Sequence, residues 1–179
     1  MKELVFVHTP KCAGTYICSI LSHLKIKNKG HTQAISNNNQ IFFTVIRNPV
    51  ERFESLLNFR LGEEKPRIDW PTHLSYVYDD ITITLDEIVS KMTDKEILGF
   101  SPYKTLNHWI KNVDIIITLD KLPNMLNHFG YTYDVNLFEP QKVSKKIRGK
   151  IIKNKDRIRK LFHDDVKIYN KVRNYSKQM

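Results

Sequence analysis

Apolar residues gather in three short runs, and between them they recur every three or four positions. The runs are ELVFVH at 3–8, IFFTVI at 41–46 and DIIITL at 114–119. Nearly continuous apolar runs of this length, rich in β-branched and aromatic residues, read as buried strands. After the first run, Ile17, Ile20, Leu21 and Leu24 share one face of a helix spanning Thr15 to Leu24, following the i, i+3, i+4, i+7 rule. SNNNQ at 36–40 is a loop before the second run. Asn48 then caps a helix with Pro49 at its first position and Gly62 as its stop, each residue suiting its place.

Residues 63–83, with Pro66, Trp70, Pro71, Tyr76 and Tyr78, show no period and read as irregular. The pairs Thr84/Glu87 and Thr93/Glu96 have the spacing of capping boxes opening two short helices. SPYKTLNHWI at 101–110 starts another helix, with Ser101 as cap and Pro102 following. Leu122, Met125, Leu126 and Phe129 carry a further helix up to Gly130. Ile147, Ile151, Ile158, Leu161, Phe162, Val166 and Tyr169 keep helical spacing near the end of the chain. They predict a docked helix over 147–175.

Strands alternating with helices predict an α/β fold of three layers, a mainly parallel central sheet flanked by helices. The 179 residues, 41% hydrophobic and 27% charged, suit one globular domain over 1–179, and no internal repeat or linker divides them. No apolar run approaches the roughly 20 residues of a membrane span. The start MKELVFVH lacks the apolar core and small-residue cleavage site of a secretory signal. Cys12 and Cys18 alone make no disulfide framework. A reducing cytoplasm is the simplest setting for such a chain.

The net charge of +10 is unevenly distributed. From Lys142 onward there are 14 Lys or Arg against three acids, whereas residues 1–141 carry 15 basic and 16 acidic side chains. A basic stretch of this kind binds an anion, attracts an acidic polymer or is a solvated helix face.

Two stretches carry candidate chemistry. In FVHTPKCAGTYI at 6–17, Pro10, Ala13 and Gly14 let the backbone turn sharply between strand and helix. Successive amides can then point inward beside the helix N-terminus, with Lys11 adding a charge and Thr15 a hydroxyl. This is the chemistry of a phosphate or sulfate cradle; a tight turn with an exposed lysine is the structural alternative. The nucleoside-triphosphate loop G-x-x-x-x-G-K-[ST] does not fit, because Lys11 precedes Gly14 by three. A phosphatase loop does not fit either, since Cys18 stands where its Arg would be. In the second stretch, FTVIRNPVERFESLLNF at 43–59, a helical step of about 100° puts Val50, Phe53 and Leu57 on the core side. Asn48, Arg52 and Ser55 fall opposite, and Arg47 closes the strand beside them. Two guanidinium groups and a hydroxyl converging this way suit a multiply charged oxyanion; a surface helix with an Arg–Glu pair is the plainer reading.

HTPKCAGT followed by R-x-P-x-x-R-x-x-S, present as Arg47, Pro49, Arg52 and Ser55, resembles the sulfotransferases that use 3′-phosphoadenosine 5′-phosphosulfate (PAPS). The resemblance extends more weakly through GHTQA, SPYKTLNHWI, VDIIITLDKLPNML and FHDDVKIYN to the small carbohydrate-type members, which have a P-loop-like fold. It implies that the loop Pro10, Lys11, Cys12, Ala13, Gly14, Thr15 and Tyr16 holds the 5′-phosphosulfate, and that Arg47 and Ser55 hold the 3′-phosphate. Cys12, Ala13 and Tyr16 stand where the family usually has Thr, Gly and Ser. Ser144 and Arg148 are further implied cofactor contacts, although Lys142 replaces an Asn often seen two residues before Ser144.

The implied reaction is transfer of a sulfuryl group to an acceptor hydroxyl. Lys11 would act where charge develops on the leaving nucleotide, and no metal is required; the seven histidines show no ligand spacing. His31 is the first choice of base, since imidazole titrates near neutrality and the similar family segment often carries a His. Glu51 and Asp120 are reserves, and His8 reads as a packing and hydrogen-bonding residue. The acceptor would be a carbohydrate hydroxyl, with an acidic or already sulfated glycan suiting the basic C-terminus and a small alcohol as the alternative. Trp70, Tyr76 and Tyr78 suit stacking on sugar rings or anchoring of their own loop equally well. Two other classes compete: a magnesium-dependent nucleotide kinase using Asp120, and a nucleic-acid-binding module using residues 142–179.

Overall fold

The computed structural model describes residues 2–36, 38–63, 66, 70–99, 105–138 and 155–175. In chain order its elements are β1 (Glu3–Phe6), α1 (Gly14–His23), β2 (Lys27–Asn28), β3 (Gln40–Ile46), α2 (Pro49–Leu61) and a 3-10 helix, Thr72–Tyr78. Then come α3 (Leu85–Lys91), α4 (Asp94–Gly99), α5 (Leu106–Ile110), β4 (Ile115–Thr118), α6 (Leu122–His128), α7 (Lys155–Leu161) and α8 (His163–Tyr175). The chain packs as two compact units, one of residues 1–47, 104–141 and 164–179 and the other of residues 48–103 and 142–163.

The first unit is α/β. Among the described residues its four strands lie in the order β2-β1-β3-β4, and every pairing is parallel. The three apolar runs of the sequence are β1, β3 and β4. The strand that sequence did not reveal is β2, a two-residue edge whose Lys27 and Asn28 face β1 at Val5 and Phe6. Both side chains are exposed, so no hydrophobic pattern marks it; edge strands are commonly this short.

Strand alternation divides the sheet's side chains between two packed faces. Leu4, Phe6, Phe43, Val45 and Ile117 point to one face, where α1 contributes Ile17, Ile20 and Leu21 and α6 contributes Leu122, Met125 and Leu126. Val5, Val7 and Phe42 point to the other, against Ala34 and the half-buried Val113. With both faces covered, β1 and β3 need apolar side chains at nearly every position, hence the continuous runs.

Helix α5 is shorter than its sequence suggests. Its N-cap is Thr105, and it begins at Leu106; the expected cap Ser101 and Pro102 lie outside the described residues. The N-terminus of this five-residue helix is completed from a distance, for the buried Asp165 of α8 accepts the Leu106 N–H at 2.9 Å.

In the second unit, Asn48 accepts the Val50 N–H, Pro49 takes the first helical position and Gly62 follows the last residue of α2, as the sequence predicts. Both capping boxes form: Thr84 with Glu87 before α3 and Thr93 with Glu96 before α4. The stretch expected to be irregular contains the 3-10 helix, which buries Leu74 and Val77. These pack with Phe53 and Leu57 of α2, Ile88 of α3, Ile97 of α4 and Ile158 of α7. Arg157 fastens α7 by donating to the carbonyls of Val89 and Met92, which end α3, and to Asp94, which opens α4. A single C-terminal helix was the expectation over 147–175; residues 155–175 instead form α7 and α8, separated at Phe162. Residues 147–154 lie outside the described residues. No helix among the described residues is long and apolar enough to cross a membrane.

Removing a buried carboxylate that caps a helix across the fold leaves a backbone donor without its acceptor, at about 1–3 kcal/mol. Asp165→Ala is therefore expected to lower the urea midpoint of unfolding by an amount corresponding to about 1–3 kcal/mol, with an unchanged denaturant slope.

Candidate functional site

In an open parallel sheet, ligands bind beyond the carboxyl ends of the strands where the winding reverses direction. With the order β2-β1-β3-β4, that point lies between β1 and β3. Residues 7–13 leave the end of β1, and Arg47 follows the end of β3. The two exits are tied together at their base: Val7 N–H donates to the Phe43 carbonyl at 2.8 Å, and the buried Thr44 hydroxyl donates to the Val7 carbonyl at 2.7 Å. Because the single Thr44 proton is used there, Thr9 is the donor in the 2.8 Å bond between the two threonine hydroxyls.

Above this anchor the backbone takes an unusual course. Lys11 and Ala13 both have φ of 62°, in the left-handed region that a residue with a Cβ enters at a cost of about 1–2 kcal/mol. Ala13 is also the N-cap of α1, which has no side-chain cap and no acid in its first turn. Left-handed residues leading into a helix start turn successive N–H groups to one side, where they can meet an anion. Lys11 is half-buried. Burial, and then the like charge of Arg47, pushes its amine below the ordinary lysine range. The lysine of the first motif thus lies in the field of the first arginine of the second. An oxyanion is the ligand that would relieve their repulsion.

Gly14 is needed for space, not for its backbone freedom. A Cβ built on it would lie 1.5 Å from Nε2 of His8, so the imidazole rests directly on the start of α1. His8 is itself backed by Phe6, ring centroids 5.8 Å apart and planes 23° from parallel. The exposed His31 also stands against it, centroids 4.0 Å apart. His31 reaches this place because Gly30, at φ 68°, turns the chain back and its carbonyl accepts the His8 N–H at 3.0 Å. Nδ1 of His31 lies 2.9 Å from the His8 carbonyl. A carbonyl only accepts, so Nδ1 carries the proton and the lone pair of the neutral ring is on Nε2. Burial, and then the neighbouring His31, lowers the His8 pKa to about 4.

The other expected residues are placed as follows. Pro10 and Cys12 are buried, Tyr16 is half-buried against the first face of the sheet and Thr15 is exposed. In the second unit, α2 carries Ser55 half-buried, Arg52 buried with 7% of its surface exposed, and Glu51 exposed. The polar stripe expected on α2 is thus largely enclosed. Asp120 is exposed just after β4. Ser144 and Arg148 lie outside the described residues. Trp70 is a core residue whose Nε1–H donates to the Leu74 carbonyl, and Tyr78 packs edge-on against it; both anchor their own segment. Tyr76 is exposed and accepts a hydrogen bond from Lys91. Among the described residues no group of three or more His, Cys, Asp or Glu could hold a metal ion.

Sequence reasoning missed the place of His8. Phe6 and His8 share strand parity, and a small residue opens the following helix; together these signals could have put the ring over Gly14.

The fold and site define an α/β protein whose parallel sheet carries a basic, amide-rich loop at its reversal point. Comparison with protein-family models, curated proteins and solved structures gave no match to this chain.

Because the His8 pKa is lowered in the fold, the unfolded chain binds this proton more readily between about pH 6.5 and about pH 4. The His8 contribution to stability should therefore be complete above pH 6.5 and lost as the pH falls toward 4. After discounting the solvent screening of a partly exposed ring, the loss should be ~1–2 kcal/mol. Urea unfolding of wild type and His8→Phe across this window checks it: the phenylalanine variant should lack that component of the pH dependence.

Proposed function

We propose that the chain is a sulfotransferase that moves a sulfuryl group from PAPS to an acceptor hydroxyl. The loop would serve as the 5′-phosphosulfate cradle of a P-loop-like fold. The observation that carries this reading is the half-buried Lys11, held within the field of Arg47 on a loop with two left-handed residues before the uncapped start of α1. The motifs HTPKCAGT and R-x-P-x-x-R-x-x-S support it from the sequence.

In the reaction, the bond from sulfur to the bridging oxygen breaks and a bond from the acceptor oxygen to sulfur forms. The leaving phosphate keeps the electron pair. Lys11 and the amides at the start of α1 would stabilise the charge that grows there. Arg47 would hold the 3′-phosphate. His31 would take the acceptor proton on Nε2, the nitrogen that carries the lone pair when Nδ1–H donates to the His8 carbonyl. The acceptor would be a carbohydrate hydroxyl, and the excess of basic residues from Lys142 onward favours an acidic one.

Calorimetric titration with 3′-phosphoadenosine 5′-phosphate, alongside 5′-AMP and ATP–magnesium, tests the reading. The 3′-phosphate compound should bind most tightly, and Arg47→Ala should weaken it by about 10–100-fold. Equal or tighter binding of ATP would overturn the assignment in favour of phosphate transfer. With an acceptor in hand, His31→Ala should lower turnover by about 100-fold or more while nucleotide affinity stays near wild type; unchanged turnover would remove His31 from the mechanism.

A further inference from the structure

The stack of Phe6, His8 and His31 runs from the core of the sheet to the surface beside the loop. Its middle ring makes contacts that a simple core residue would not need. The Nε2 end of His8 lies against Gly14, the first residue of α1, so closely that no side chain fits between them. The same ring also meets His31, with centroids 4.0 Å apart. The backbone of the same residue holds the segment on which His31 sits, through its N–H to Gly30 and its carbonyl to Nδ1 of His31.

We propose that His8 is the positioning residue for His31, its ring acting as a fixed platform between the start of α1 and the His31 imidazole. His31 is exposed, and an exposed side chain ordinarily samples several rotamers. With the His8 ring beside it and the His8 carbonyl on Nδ1, one rotamer and one tautomer are selected together. The position of that ring is in turn set by Gly14, so the geometry of the oxyanion loop and of His31 are linked through one side chain. The Trp109 ring, edge-on to His31 with centroids 6.3 Å apart, borders the other ring. The platform works by shape and not by exchanging protons: burial keeps His8 neutral at ordinary pH. The purpose given to His31 rests on the transfer reading above, but its placement by His8 does not.

Nitrogen-15 spectra of the imidazole side chains test the inference without an acceptor. In wild type, His31 should show the single Nδ1–H tautomer and nuclear Overhauser contacts to the His8 ring. His8→Phe, which keeps an aromatic platform, should preserve the His31 pattern. His8→Ala, which removes the ring but keeps the backbone carbonyl, should lose the fixed His31 rotamer, so that Nδ1 leaves the carbonyl and both tautomers appear. A mixed tautomer or missing ring contact in the wild-type protein would overturn the proposal even if the alanine variant fails to fold. So would an unchanged His31 in His8→Ala, or a His31 in His8→Phe as disordered as in the alanine variant. Absence of nucleotide binding in wild type would instead defeat the transfer reading and leave the tautomer comparison standing.

Discussion

The parallel pairing of β1 with β3, locked at its upper end by one buried hydroxyl, is the constraint on which the candidate site depends. Four register pairs from Glu3↔Gln40 to Phe6↔Phe43 align the strands, but a ladder alone would leave the chain beyond Phe6 to wander. Thr44 prevents this by donating to the Val7 carbonyl and accepting from Thr9. Both threonines are fully buried, where an unmade hydrogen bond costs more than a made one contributes. The penalty for separating them keeps the two strand exits, and with them Lys11 and Arg47, in one place.

From that anchor the loop stores strain next to its charged groups. Two residues that carry a Cβ adopt left-handed backbone, while the glycine beside them sits at the ordinary start of a helix and is required because an imidazole occupies the space of its missing side chain. Glycine at 13 would relax the turn; alanine there keeps fewer unfolded conformations accessible. Strained backbone persists only where its surroundings over-determine it, and here they do: a buried threonine pair below, a buried Pro10 and Cys12 within the loop, and a stacked ring above. The result is a loop whose backbone is fixed by its surroundings.

The second unit solves a different problem. Its helices α3 and α4 are short, and helices this short need help beyond their own hydrogen bonds. Capping boxes supply it at their N-termini. At the end of α3 the guanidinium of Arg157 collects carbonyls from Val89 and Met92 while also gripping Asp94. A basic residue in the C-terminal charge cluster is thereby structural, so the sequence charge of that region overstates what is offered to a partner.

The chain's own sequence determined the features set by local rules. The strands β1 and β3 were legible because strands covered on both faces must be apolar throughout, β4 because it too is an apolar run, and α2 because Asn48, Pro49 and Gly62 each act within one turn. The capping boxes were legible for the same reason: their geometry is written in residues adjacent in the chain. Only the tertiary structure decided the rest. β2 is set by pairing and not by pattern; α5 starts where Asp165, 59 residues away, supplies an acceptor; the C-terminal period is cut into α7 and α8. His31 reads in sequence as a lone histidine, and its tautomer is fixed by the carbonyl of a residue 23 positions earlier. Hydrogen bonds and ring contacts across such distances depend on where the backbone has already been placed, and no local pattern encodes that.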